Sequence, residues 1–219
     1  MQYFENNENL KSELRTLNYT YENNHFTFYS DLGVFSKDKI DLGSRLLVET
    51  YFKYGKKSIK VLDVGCGYGF IGITLNKVMD ANVDMIDIND RAMHLAKMNQ
   101  KENKAVVNIF KSNIYENITE KYDCIISNPP IRAGKSVYLT IINEAPKYLN
   151  SSGELWFVMR TNHGVKTVIK NLKAKYSVEI LKKDMGYYIV KVLCAWNIMR
   201  FYYLHLALLF FSWYTLNGD

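Results

Sequence analysis

Val61 to Gly72 constrain this chain most. Val61-Leu62-Asp63-Val64 is a short apolar run suited to a buried strand, and Gly65-Cys66-Gly67-Tyr68-Gly69-Phe70-Ile71-Gly72 turns it into a helical pattern. Strand, glycine-rich turn and helix in that order open an α/β unit. Glycines at the turn let a ligand approach the backbone closely.

The pattern then repeats. Strands are expected at Ile59–Val64, Val83–Asp87, Val106–Phe110, Tyr122–Ser127, Leu155–Met159, Ser177–Leu181 and Tyr187–Leu193, with helices between them. Such alternation implies a mainly parallel sheet covered on both faces. Asp90 to Asn103 shows the helical logic: Ala92, Leu95, Ala96 and Met98 share a face, and Asn89 or Asp90 can cap the start. Before the first core strand, Phe26, Phe28, Tyr29 and Phe35 suggest a hairpin, and a helix follows around Leu46 to Phe52. The expected division is residues 1–57 as an N-terminal cap, 58–193 as a Rossmann-like core, and 194–219 as an atypical apolar tail.

Two ligand classes compete for the glycine loop. Gly67, Gly69 and Gly72 satisfy G-x-G-x-x-G, and Asp87 ends the next strand about 20 residues on, as in a dinucleotide site. NAD is therefore not excluded by spacing, and an NAD-dependent oxidoreductase stays open. Asp63 argues the other way. A carboxylate at the strand end would repel a pyrophosphate and attract the ammonium of S-adenosylmethionine. Asp87 would then meet the ribose hydroxyls, although a solvated loop acid is its bland reading.

Asn128-Pro129-Pro130-Ile131 follows the strand Cys124-Ile125-Ile126-Ser127. Proline fixes its own φ and restricts the residue before it, so Asn128 and Pro129 present their oxygens at fixed places. Two acceptors could grip a planar amine by both protons, turning its lone pair out of plane toward an electrophile without a general base. Both this turn and the glycine loop fall at the carboxyl edge of the sheet, where ligands of such folds bind.

Together these stretches resemble class I S-adenosylmethionine-dependent methyltransferases, and within them the small-subunit (16S) ribosomal RNA guanine-N2 methyltransferases of C type. The likeness runs through Gly33-Val34-Phe35-Ser36-Lys37-Asp38, Asp41-Leu42-Gly43-Ser44-Arg45-Leu46-Leu47, Asp63 to Gly72, Asp87 to Ala92 and Asn128 to Lys135. It implies a seven-stranded sheet with an antiparallel last strand and methylation of an exocyclic guanine N2 in ribosomal RNA or a small-subunit particle. DNA adenine and protein glutamine are the alternative acceptors. By resemblance, Asp63, Gly65, Gly67 and Gly69 hold the methionine end of the cofactor, Asp87 the ribose, and Asn113 with Ile114 the adenine, with Cys66, Ile88 and Asn128 also among the cofactor-binding residues. Asn128 is catalytic, with Pro129, Pro130 and Ile131 shaping the target-base slot. The chain departs from the family at Ser112-Asn113, where Ser-Asp is usual: an acceptor oxygen is kept and the charge is lost.

The formal charge of +6 is concentrated. Arg160 to Lys191 carries eight Lys/Arg against two acids, and the rest balances. A basic lobe suits a polyphosphate partner, while Lys166, Lys170 and Lys173 read equally as a solvated helix face. Arg132 and Lys135 beside the amine-gripping turn, and Lys37, are the candidate RNA contacts. Cys66, Cys124 and Cys194 are far apart and read as buried hydrophobes of a reducing compartment, with no metal implied. Met1 to Leu10 is polar and shows no secretory signal, so a cytoplasmic protein is expected. In the tail, Phe201 to Leu216 has no formally charged side chain but is shorter than the ~20 residues of a spanning helix. A packed apolar helix or an aberrant extension accounts for it better than membrane association.

Overall fold

The computed structural model describes residues 11–57 and 59–194; the apolar tail lies outside them. In chain order the elements are β1 (Arg15–Tyr21), β2 (Asn24–Ser30), α1 (Leu42–Tyr54), β3 (Lys60–Val64), α2 (Phe70–Met79), β4 (Asn82–Asp87), α3 (Asp90–Glu102), β5 (Val107–Lys111), β6 (Tyr122–Ser127), α4 (Lys135–Glu144), β7 (Leu149–Arg160), α5 (Val165–Lys173), β8 (Ser177–Asp184) and β9 (Tyr187–Leu193). Strands β3 to β9 form one sheet in the order β5-β4-β3-β6-β7-β9-β8. Its first five members are parallel, and β9 runs antiparallel to both β7 and β8.

All seven expected strands are present. The main difference is β7, which begins at Leu149 rather than Leu155 because an irregularity lets Tyr122 pair with Leu149 while Cys124 pairs with Glu154. Polar Asn150, Ser151 and Ser152 occupy that stretch, which hid it from an apolar-run reading.

Residue parity divides the core. Val61, Cys124, Ile126, Trp156 and Val158 face α1, α2 and α3, whereas Leu62, Ile125, Leu155, Phe157 and Val190 face α4 and α5. Successive strand side chains point to opposite faces, so a sheet covered twice needs consecutive apolar residues, as these strands have. Helix α1, assigned by sequence to the N-terminal cap, covers the sheet itself: the Tyr51 and Trp156 rings meet edge-on at 4.8 Å.

The expected hairpin is β1–β2, a separate two-stranded sheet. Its Phe28 ring packs 5.4 Å from Phe70 at the start of α2. The outer edge of β2 is held by two carboxamides, Asn99 on α3 and Asn103 at its C-cap. Asn99 accepts from the Tyr29 N–H at 2.6 Å and donates to the Tyr29 carbonyl at 2.9 Å, while Asn103 treats Thr27 the same way at 3.0 and 2.8 Å. Asn99 also donates to the Tyr68 carbonyl at 2.8 Å, joining the hairpin to the glycine loop.

Candidate active site

The chain reverses direction across the sheet between β3 and β6, whose neighbours were laid down on opposite sides. A crevice at the carboxyl ends of such strands is the expected ligand site. A cavity of about 250 Å³ lies there, lined by the β3–α2 loop, the end of β4, Ser112 to Ile114, and Asn128 to Pro130.

The loop owes its shape to backbone angles that side chains resist. Gly65, Gly67 and Gly69 have φ of 72°, 57° and 94°, in the left-handed region that glycine enters at little cost. The amides of Gly65 and Cys66 both donate to the Ile86 carbonyl at 2.9 Å. A Cβ at Gly67 would meet nothing within 4 Å, so this backbone fronts open space, whereas one at Gly69 would lie 2.9 Å from Met85 Cε. Thus Gly65, Cys66 and Gly67 line the cavity, and Gly69 lies outside its wall as the cap of α2.

Asp87 lines the cavity beside the exposed Ile88. Its Oδ2 accepts from the Gly67 N–H at 2.8 Å and its Oδ1 from the Asn89 N–H at 2.9 Å. Burial raises its carboxyl above the ordinary range, and these backbone donors, with that of Ile88, oppose the rise. Across the cavity, Ser112 donates to the Ile114 carbonyl at 2.8 Å and Asn113 donates to Glu116 at 2.7 Å. Tying the Asn113 amide nitrogen leaves its carbonyl oxygen as the acceptor.

Asp63 departs from the expectation that it lines the ligand pocket. It shares the parity of Val61, so it points beneath the loop toward α2, is 0 % exposed, and is absent from the cavity wall. Its Oδ2 accepts from the Gly72 N–H at 2.9 Å, and its Oδ1 has no hydrogen-bond partner. Burial pushes its carboxyl up to about 7; the Gly72 N–H opposes this and nearby Asp87 adds to it.

Asn128 and Pro129 line both this cavity and a second, of about 780 Å³. Phe35 borders both as well, so the Asn-Pro turn and Phe35 together form the wall that the two spaces share. Ile131, Arg132 and Lys37 line the second space, and Lys135, exposed at the start of α4, lines neither. That wall also carries Arg160, from the basic lobe seen in sequence, and the loop histidine His163; sequence reading missed Lys39 there, and the cation–π contact of Arg160 on the Tyr187 ring at 4.9 Å. It also missed what holds Asn128: Nδ2 donates to Asp41 Oδ2 at 2.9 Å and to Ser44 Oγ at 2.8 Å. The helix-start pattern Asp41-Leu42-Gly43-Ser44 signals the cap of α1 but not its contact with Asn128. Among the described residues, no group of three or more His, Cys, Asp or Glu is placed to hold a metal, and no helix is long and apolar enough to cross a membrane.

Residues 25–191 match the family described as methyltransferase small domain. A Bacillus subtilis protein, YbxB, is 39% identical over 194 residues, which cover 86% of this chain and 96% of that one. Ribosomal RNA small subunit methyltransferase C of Psychromonas ingrahamii is 40% identical over 131 residues, covering 58% of this chain and 37% of the relative. Its Haemophilus influenzae counterpart is 37% identical over 154 residues, with 67% and 46% covered. The chain thus spans less than half the length of these two relatives. Among solved structures, a T. thermophilus 16S rRNA N2 methyltransferase, determined with AdoMet and guanosine, shares the fold at TM-score 0.75 and 24% identity, with 84% of this chain and 51% of that one covered.

Proposed function

This chain belongs to the methyltransferase small domain family, and from that premise we propose that it methylates the exocyclic N2 of a guanine in small-subunit ribosomal RNA, using S-adenosylmethionine, in the cytoplasm. The observation that carries the reading is the partition: one polar turn, Asn128-Pro129, fronts a glycine-loop cavity on one side and a cation-lined cavity on the other. A donor and an acceptor would meet at that shared wall.

The residues fit the cofactor. Gly65 to Gly67, where a Cβ at Gly67 would meet nothing within 4 Å, would carry its amino-acid end, and Asp63, buried behind them, would act only by holding the Gly72 N–H. Asp87 would hold the ribose hydroxyls, with Ile88 against the sugar and Asn113 and Ile114 on the adenine. When bound, the cofactor supplies an electrophilic methyl group on a sulfonium. Everything else falls to this chain. The Asn128 side-chain carbonyl oxygen would accept a hydrogen bond from one N–H of the acceptor amine, and the Pro129 carbonyl from the other. Holding both keeps the lone pair aimed at the electrophile, and the surplus proton leaves to solvent after attack.

Lys37, Arg132 and Arg160 on the second wall offer cations to a nucleotide phosphate, and Ile131 offers an apolar edge to the base. Lys135 would act only on flanking RNA. Family membership removes the dinucleotide alternative. Other amine acceptors remain the competing outcomes of the test, which is to map N2-methylguanosine in ribosomal RNA from cells with and without the gene. Loss of one guanine mark in the deleted strain is expected; an unchanged ribosomal RNA would overturn the acceptor assignment.

A further inference from the structure

A carboxylate only accepts hydrogen bonds, so the Asn128 atom 2.9 Å from Asp41 Oδ2 must be nitrogen. The amide is planar. With both Nδ2 protons spent on Asp41 and Ser44, its carbonyl is turned the other way. Among the described residues no donor occupies that oxygen. The same Asp41 Oδ2 also accepts the Ser44 N–H at 2.8 Å as the N-cap of α1. The amide is thereby referenced to a helix packed on the sheet, 87 residues away in sequence.

We propose that Asp41, assisted by Ser44, is the positioning residue of this site: it fixes the one flip of the Asn128 amide that presents an acceptor to the substrate amine. An unheld asparagine could rotate its amide and offer NH2 to NH2, a contact with no hydrogen bond in it. The negative charge behind Nδ2 also polarises the amide, concentrating electron density on the opposite oxygen. Ser44 can donate its own hydroxyl proton elsewhere while its oxygen accepts, so it completes the grip without competing for the carbonyl. The inference rests on the reading that Asn128 grips an amine.

A helix cap alone would explain Asp41 just as well, so the test must separate capping from positioning. Ser, Asn and Asp all cap helices comparably. Serine at 41 is too short to reach Asn128, whereas asparagine keeps an oxygen at the same place. With ribosomal RNA from the gene-deleted strain and labelled S-adenosylmethionine, Asp41→Ser should lower kcat by roughly 10–100-fold, the scale set by misplacing a reacting group. Asp41→Asn should retain most of the turnover. Cofactor affinity and Tm should stay near the parent's in both. Ser44→Ala, which leaves the backbone cap in place, should show a smaller fall in kcat.

Equal kcat in the parent, Asp41→Asn and Asp41→Ser, or losses that follow Tm instead of the side chain's reach, would overturn the inference. Asn128→Ala separates its failure from that of the function. If Asn128→Ala turns over normally, the amine-grip reading falls; if it is slow while Asp41→Ser is not, only the positioning role falls.

Discussion

Asp63 should make the stability of this protein depend on pH in a direction opposite to most carboxylates. It is fully buried, accepts one backbone N–H and leaves Oδ1 without a partner, so the folded state holds its proton to about pH 7 against an ordinary value of 3.8. Because the folded value is the higher one, its stabilising contribution is complete below about pH 4 and is lost as pH climbs to about 7. At 1.36 kcal/mol per unit the whole loss is about 4 kcal/mol, of which about 3 kcal/mol falls between pH 5 and pH 8. Asp63→Asn keeps an oxygen for Gly72 but does not titrate, so its penalty at the second atom is constant. Thermal melts of parent and variant at several pH values cancel every other titrating group in the difference. The parent should lose ground to the variant by ~6–12 °C from pH 5 to pH 8 for a chain of this size. Parallel Tm–pH curves would refute the argument, since they would mean that Asp63 is equally solvated folded and unfolded.

Two other substitutions test the loop. Asp87→Ala should weaken S-adenosylmethionine binding by roughly 1–3 kcal/mol, or about 5–150-fold in Kd by calorimetry, and unchanged affinity would remove Asp87 from the site. The same change frees the Gly67 and Asn89 amides, so chemical denaturation should also show a modest loss of stability. Gly72→Ala would put a Cβ 2.6 Å from Met85 Cγ and Sδ, and a cost of about 1–3 kcal/mol is expected from overpacking; an unshifted denaturation midpoint would show that Met85 yields freely.

What could be read from sequence follows from the range over which each signal acts. Strand and glycine-loop positions were legible because hydrophobic period and φ preference are local, and Asn89 caps α3 as its residue type suggests, accepting from the Ala92 N–H at 3.0 Å. Asp63 was misplaced by reasoning from nearness to the loop instead of parity: two residues after Val61, it must face the same helices. Gly69 was drawn into the site by its motif, although its angle serves the start of α2. Asp41 and Ser44 could not be paired with Asn128 by any local rule, since that contact exists only once α1 has packed on the sheet. The second cavity is similarly non-local, assembled from residues 32–41, the 128–132 turn, the end of β7 and Tyr187.

The docking of the hairpin on α3 also says how far a helix can imitate a strand. Four helical residues rise about 6.0 Å, and two strand residues advance about 6.8 Å. Asn99 and Asn103 therefore meet Tyr29 and Thr27 as two rungs of a false neighbouring strand. The imitation cannot extend. A third rung would be out of step by about 1.6 Å and, at 3.6 residues per turn, rotated well off the line. Two rungs suffice to occupy Thr27 and Tyr29, the outward-facing pairs at the middle of β2. On the β2 side, an edge that would otherwise offer unpaired amides to another chain is closed without a strand being added, by two carboxamides that keep it from acting as a template.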